Sequence, residues 1–88
     1  MKEIQLTKGF TALVDDEDFE RVNKFKWHVI KGKTTYYAVT HFKRNGRDSS
    51  LRMNILVMGT HPTLKYIDHI KGNGLDNQKH MLRFCTNS

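Results

Sequence analysis

Cysteine is almost missing from this sequence. Cys85 is the single thiol, which excludes an internal disulfide and a cysteine-rich zinc site, and its expected place is the interior. Long apolar runs are missing too. No stretch approaches the roughly 18 apolar residues of a membrane span, and the opening "MKEIQLTKG" lacks the apolar run of a signal peptide. Repeats, low-complexity tracts and linkers are also lacking, and the lone proline, Pro62, is assigned to a loop. The 88 residues are read as one domain, too short for two independent cores. With 38% hydrophobic and 27% charged residues the balance is that of an ordinary soluble domain, and a cytoplasmic location without a membrane partner is expected.

Acidic residues are scarce outside one short run. Lys and Arg number 15 against 9 Asp and Glu, a net charge of +6. Asp15, Asp16, Glu17, Asp18 and Glu20 are crowded together, whereas residues 31–65 hold one acid, Asp48, against Lys31, Lys33, Lys43, Arg44, Arg47, Arg52 and Lys65. A positive half of that size points to a polyanionic partner, most simply nucleic acid. The acidic run reads as a helix N-terminus rather than a metal site. Asp15 or Asp16 can cap it, acids suit the positive end of the helix dipole, and Phe19 and Val22 follow at helical spacing.

Residues 2–14 read as two short strands about a Lys8-Gly9 turn, with Ile4 and Leu6 pointing inward. Trp27 to Ile30, Thr35 to Lys43 and Ser49 to Met53 carry the β-branched and aromatic signature of strands. Asn45-Gly46 is a two-residue hairpin signal, since a type I′ turn needs positive φ at both positions. The expectation is a three-stranded antiparallel sheet with the acidic helix against one face and Phe19, Val22 and Trp27 in the core. On the middle strand Tyr36, Ala38, Thr40 and Phe42 are assigned to the inner face, and Tyr37, Val39, His41 and Lys43 to the outer one. His28 and His41 are read as ordinary strand residues. "MNILVMG" predicts one to two helical turns ended by Gly59. "TLKYIDHI" predicts a strand, "KGNGLDN" a tight loop with Asp76 or Asn77 capping the next segment, and "QKHMLRF" a last helical turn or two.

Asp68 and His69 stand together at the end of that strand. One side chain of such a pair can bind a divalent cation while the other activates water, and a twist can turn both toward one phosphate. From the spacing alone, a turn with an incidental histidine is the favoured reading. The stretch "YIDHIKGNGLDNQKHMLRFCT" resembles the core of the HNH homing endonucleases, and "MNILVMG" is similar to the apolar helix before it. Residues 6–39, "LTKGFTALVDDEDFERVNKFKWHVIKGKTTYYAV", resemble the AP2-like DNA-binding part of phage and bacterial HNH proteins. The resemblance implies an α+β chain, with a small AP2-like sheet and packed helix over 1–52 and a partial ββα-metal motif over 53–88.

By the same resemblance His69 would be the general base, Asp68 a metal ligand and Asn77 part of the loop that shapes the site. Beside them His80, one residue out of the family register, is taken as a substitute ligand and Asn54, at the family's histidine position, as a second site-shaping residue. Lys31, Lys33, Lys43, Arg44, Arg47, Arg52, Lys71, Lys79 and Arg83 would contact nucleic acid. The sequence departs from the family pattern in three places. Asn54 and Ile55 replace the His-Arg of the apolar helix, and Met81 replaces a bracing asparagine. The family's second metal ligand falls beyond Ser88. A methionine thioether serves a hard cation poorly. The expectation is therefore a degenerate HNH domain that binds DNA in a prokaryotic host cell, with no cofactor or a weakly held Mg²⁺ or Mn²⁺. Two alternatives stand beside it: a phage-encoded inhibitor of a host or defence nuclease, and an active metal-dependent nicking enzyme.

Overall fold

A computed structural model describes residues 1–59, 61–64 and 66–86, so Lys65 lies outside the described residues. In chain order it contains β1 (Lys2–Gln5), β2 (Thr11–Val14), α1 (Asp16–Val22), β3 (His28–Lys31), β4 (Tyr36–Arg44), β5 (Arg47–Arg52), α2 (Met53–Met58), β6 (Tyr66–His69) and β7 (Leu82–Cys85). Short 3-10 turns lie at Thr7–Gly9 and Lys79–Met81. The result is a small α+β fold with two α-helices and three antiparallel sheets, β1–β2, β3–β4–β5 and β6–β7. No helix among the described residues is long and apolar enough to cross a membrane.

Local chemistry accounts for most of these elements. Asn45 and Gly46 adopt φ of 52° and 76°, the positive pair that a type I′ turn requires, and Arg44 faces Arg47 across the hairpin. Ile4, Leu6, Ala12 and Val14 put one face of the first hairpin into the core, where they meet Val22, Trp27, Ala38, Met53, Val57 and Leu82. Trp27 buries its ring and donates its indole N–H to the carbonyl of Val22 at 2.8 Å, so the polar edge is satisfied inside.

Several expectations need correction. The acidic helix does not cover the three-stranded sheet. α1 packs on β1 and α2, while α2 lies against β4 and β5. Connectivity explains this, because α2 follows β5 without an intervening residue and folds straight back onto its own sheet. Phe19 is half-buried at the edge of the core rather than inside it, with the Lys2 ammonium 4.9 Å from its ring centroid. Asp15 holds the N-cap position but makes no side-chain cap to α1. Its backbone carbonyl already accepts the Asp18 N–H at 3.0 Å, which leaves its carboxylate to accept the Lys79 N–H at 3.0 Å.

The face assignment on β4 holds only in part. Ala38 and Thr40 are buried, but so is Val39 on the opposite face. The loop after β6 reaches over that end of the sheet, where Gly74 abuts the Tyr37 ring. Tyr36 and Phe42, assigned inward, are exposed near the ends of the strand. The last helical segment shrinks to the 3-10 turn at Lys79–Met81, because Leu82–Cys85 pairs with β6 instead. Asp76 accepts the Gln78 N–H at 3.3 Å, whereas Asn77 turns its side chain inward and caps nothing. Cys85 is half-buried, on the short β7.

Candidate functional site

The site is built at the point where β6 ends and the 70–77 loop turns back. Gly72 closes the turn by donating its N–H to the His69 carbonyl at 2.8 Å, and Ile70 donates to Met81 at 2.9 Å. The far end of the loop is stitched to β2. Leu13 donates to the Leu75 carbonyl and Asn77 donates to the Leu13 carbonyl, both at 2.8 Å, across an isolated parallel bridge between Leu13 and Asp76. That stitching holds Asn77 at 1% exposure. Its Oδ1 lies 3.0 Å from His69 Nε2, which donates to it when protonated there. Asn77 Nδ2 is buried with no partner among the described residues.

His69, at 9% exposure, forms one wall of a cleft of about 170 Å³ lined also by Thr34, Thr35, Tyr37, Arg52, Asn54, Ile67, Asp68 and Gly72. Four residues singled out from sequence therefore converge there: Arg52, Asn54, Asp68 and His69. The Arg52 guanidinium stacks 4.7 Å from the centroid of Tyr37, and the Tyr37 ring lies 5.8 Å from that of His69. Asn54 is buried at the start of α2, with its Oδ1 unpartnered among the described residues. Compared with family models, with curated proteins and with solved structures, the chain matches none.

Asp68 already has a partner. Arg83, its cross-strand partner, donates Nε and an Nη to Asp68 Oδ2 at 3.2 and 3.0 Å. His80 is exposed on the Lys79–Met81 turn and does not line the cleft. Asp68, His69 and His80 do not bring ligand atoms together as a set among the described residues. With one carboxylate already in an ion pair, the cleft fits Mg²⁺ or Mn²⁺ poorly, since such ions demand several well-placed oxygens.

The set that does cluster is Asp15, Glu17 and Asp18, which could hold a cation by geometry. Protein cations already serve it. Lys79 Nζ lies 2.8 Å from Glu17 and 3.3 Å from Asp18, and an Arg21 Nη lies 2.7 Å from Asp18. The hydrogen bond to Glu17, followed by that to Asp18, holds the Lys79 ammonium above the ordinary lysine range against the opposing effect of desolvation. Asp16 bonds to the amino terminus at 3.0 Å, and that contact holds its carboxyl below the usual range.

The basic residues expected to meet nucleic acid divide into three groups. Lys79 and Arg83 are engaged by acids. Lys71 is exposed on the loop after β6. Five of the remaining six sit on the three-stranded sheet, but on two faces. Register puts Lys43 and Arg52 on the face of Tyr37 and His41, and Lys31, Arg44 and Arg47 on the face of Tyr36 and Phe42. Lys33 is exposed in the β3–β4 turn.

Tyr37 is the site residue that sequence reasoning missed. The signal lay in two glycines, one in the adjoining turn and one far along the chain. A Cβ at Gly32 would collide with the Tyr37 ring, and one at Gly74 would collide with that ring and with the Tyr36 carbonyl oxygen. Both glycines exist to let this ring pass close to the backbone.

Proposed function

We propose that the chain is a nucleic-acid-binding protein, with DNA the intended partner, built on an HNH-endonuclease framework with little or no cleavage activity. One observation carries the binding half of this reading. From His41 to Asp48 the β4–β5 hairpin is exposed on both faces and carries Lys43, Arg44 and Arg47 with a single acid, Asp48. A two-stranded ribbon of this kind fits the width of a DNA major groove, and its cations supply the sequence-independent attraction to phosphate. Arg52 extends the positive surface to the mouth of the cleft.

The cleavage half rests on the cleft. His69 Nε2 is engaged by Asn77 and the Asp68 carboxylate by Arg83. An imidazole that activates water achieves little unless a cation also stabilises the charge on the phosphate and leaving oxygen. The convergence of Arg52, Asn54, Asp68 and His69 on one cleft favours a second reading, a metal-dependent nicking enzyme.

The test has two arms. In a DNA titration at increasing salt, about four phosphate contacts should give a slope of log K against log salt near −4; absence of binding at low salt, or a flat salt response, sinks the reading. In a supercoiled-plasmid assay with Mg²⁺ or Mn²⁺, parent and His69→Ala should both stay at background. Nicking that needs both metal and His69 would install the second reading. A host nuclease retained in a pull-down after nucleic acid is digested would instead make the chain an inhibitor of that nuclease.

A further inference from the structure

His28 and His41 were expected to be unrelated strand residues, yet the fold places their rings side by side, with centroids 5.5 Å apart and planes tilted by 45°. Register explains the contact. Val39 of β4 pairs with His28 of β3, and His41 follows two residues later, so both imidazoles rise from one face as diagonal neighbours. Both are exposed, and neither has a hydrogen-bond or ion-pair partner among the described residues.

The charged groups around the pair are mostly positive. On the same face β4 contributes Lys43, and β5 contributes Arg52 and, opposite Lys43, Asp48. Lys26 borders the shallow hollow beside His28. The opposite face of this sheet carries Lys31, Arg44 and Arg47 but no histidine. Two imidazoles could also hold a transition metal, but a stable site needs three or four ligands. Asp48, the one carboxylate on that face, does not complete such a set with them.

Resting on the DNA-binding reading, we propose that His28 and His41 form a proton-gated phosphate contact, and that the face bearing them and Arg52 is the one laid against the duplex. Protonation would put two like charges side by side on the bare protein, which is unfavourable. A phosphate oxygen set between the rings accepts an N–H from each and offsets that repulsion, so DNA and protons bind with mutual reinforcement.

The experiment measures the affinity of the whole chain for a short random-sequence DNA duplex, with a chelator present, from about pH 8 to about pH 5, the interval in which imidazoles take up protons. Binding to the parent should tighten roughly ten-fold as the pH falls, and its salt slope should steepen by about one. His28→Gln/His41→Gln should bind with little change at pH 8 and lose most of the gain at pH 5. Both side chains are exposed, so the variant should fold, which its circular dichroism would verify. An affinity that ignores pH, or a gain that survives in the double variant, overturns the proposal. Failure of the parent to bind at any pH would instead remove the DNA-binding reading on which the proposal rests.

Discussion

Replacing Asn77 with alanine isolates what the core of the candidate site contributes to stability. The side chain is 1% exposed and makes one hydrogen bond, 3.0 Å from Oδ1 to His69 Nε2. Losing a neutral hydrogen bond removes about 0.5–1.5 kcal/mol, and leaving a ring N–H buried without a partner costs about 1–3 kcal/mol. One term acts the other way, because Asn77 Nδ2 is itself buried and unpartnered, so its removal relieves a desolvation cost. The balance is a loss of about 1–3 kcal/mol, set against a total of about 5–15 kcal/mol for a domain. At roughly 4–8 °C per kcal/mol in a domain of this size, the melting midpoint should fall by about 5–20 °C. His69→Ala strands the other half of the same bond and should also destabilise. The double variant should be less harmful than the sum, with a coupling of about 1 kcal/mol. Melting curves of the four proteins complete the cycle. A parent-like midpoint for Asn77→Ala, or strict additivity, would refute a His69–Asn77 contact that supports the fold.

Two further outcomes rest on the packing. Trp27→Ala, at a site 3% exposed, should cost about 3–5 kcal/mol, whereas Phe19→Ala, at the half-buried edge, should cost about 2 kcal/mol; chemical denaturation that reverses this order contradicts the helix placement. Lys79→Gln should leave the salt slope of DNA binding unchanged, because that ammonium is engaged by Glu17 and Asp18. Its raised folded-state value also fixes a sign. The stabilisation is fully present below the ordinary lysine range and is lost as the pH rises through the folded value. Alkaline melts should therefore converge for Lys79→Gln and parent, and high salt should reduce their difference at neutral pH.

Much of the fold was legible because its signals are local. Asn45-Gly46, the alternation about Ile4 and Leu6, and the stop at Gly59 each depend on a few neighbouring residues, and all appear in the structure. The errors came where tertiary contact overrides local preference. The "QKHMLRF" segment has a helical look, but the unpaired edge of β6 recruits Leu82–Cys85 as a strand. Val39 alternates correctly for an outer face, yet it is buried, and two residues before it on that face the Tyr37 ring abuts Gly74, more than thirty residues away in sequence. The site followed the same rule. Asp68 and His69 announced themselves by residue type, while Tyr37, the Asp68–Arg83 pair and the His28–His41 pair depend on strand register, which composition does not carry.

The stretch from Ile67 to Asn77 has structural work sufficient to explain its chemistry-bearing residues. Asp68 pairs with Arg83 across the β6–β7 hairpin, and His69 holds Asn77. Leu75 and Asn77 tie the loop to β2, and Gly74 admits Tyr37 of β4 while donating its N–H to Thr35 at 3.1 Å. This one segment thus touches all three sheets, each too small to stand alone. Residues that suit phosphodiester hydrolysis have structural roles here, so their presence carries little weight for catalysis. The decisive quantity is whether a cation can displace Arg83 from Asp68. An exposed pair of this kind contributes at most about 1 kcal/mol, so Arg83 alone is a weak obstacle. The stronger obstacle is that Asp68 is the one carboxylate lining the cleft among the described residues, since a hard dication bound by one carboxylate keeps most of its water. Removing the obstacle that is weak should therefore achieve little. Arg83→Ala is expected to leave Mn²⁺ binding weak and plasmid nicking at background. Metal-dependent nicking that appeared in Arg83→Ala, and vanished again with His69→Ala, would show that the ion pair alone restrains an otherwise competent site.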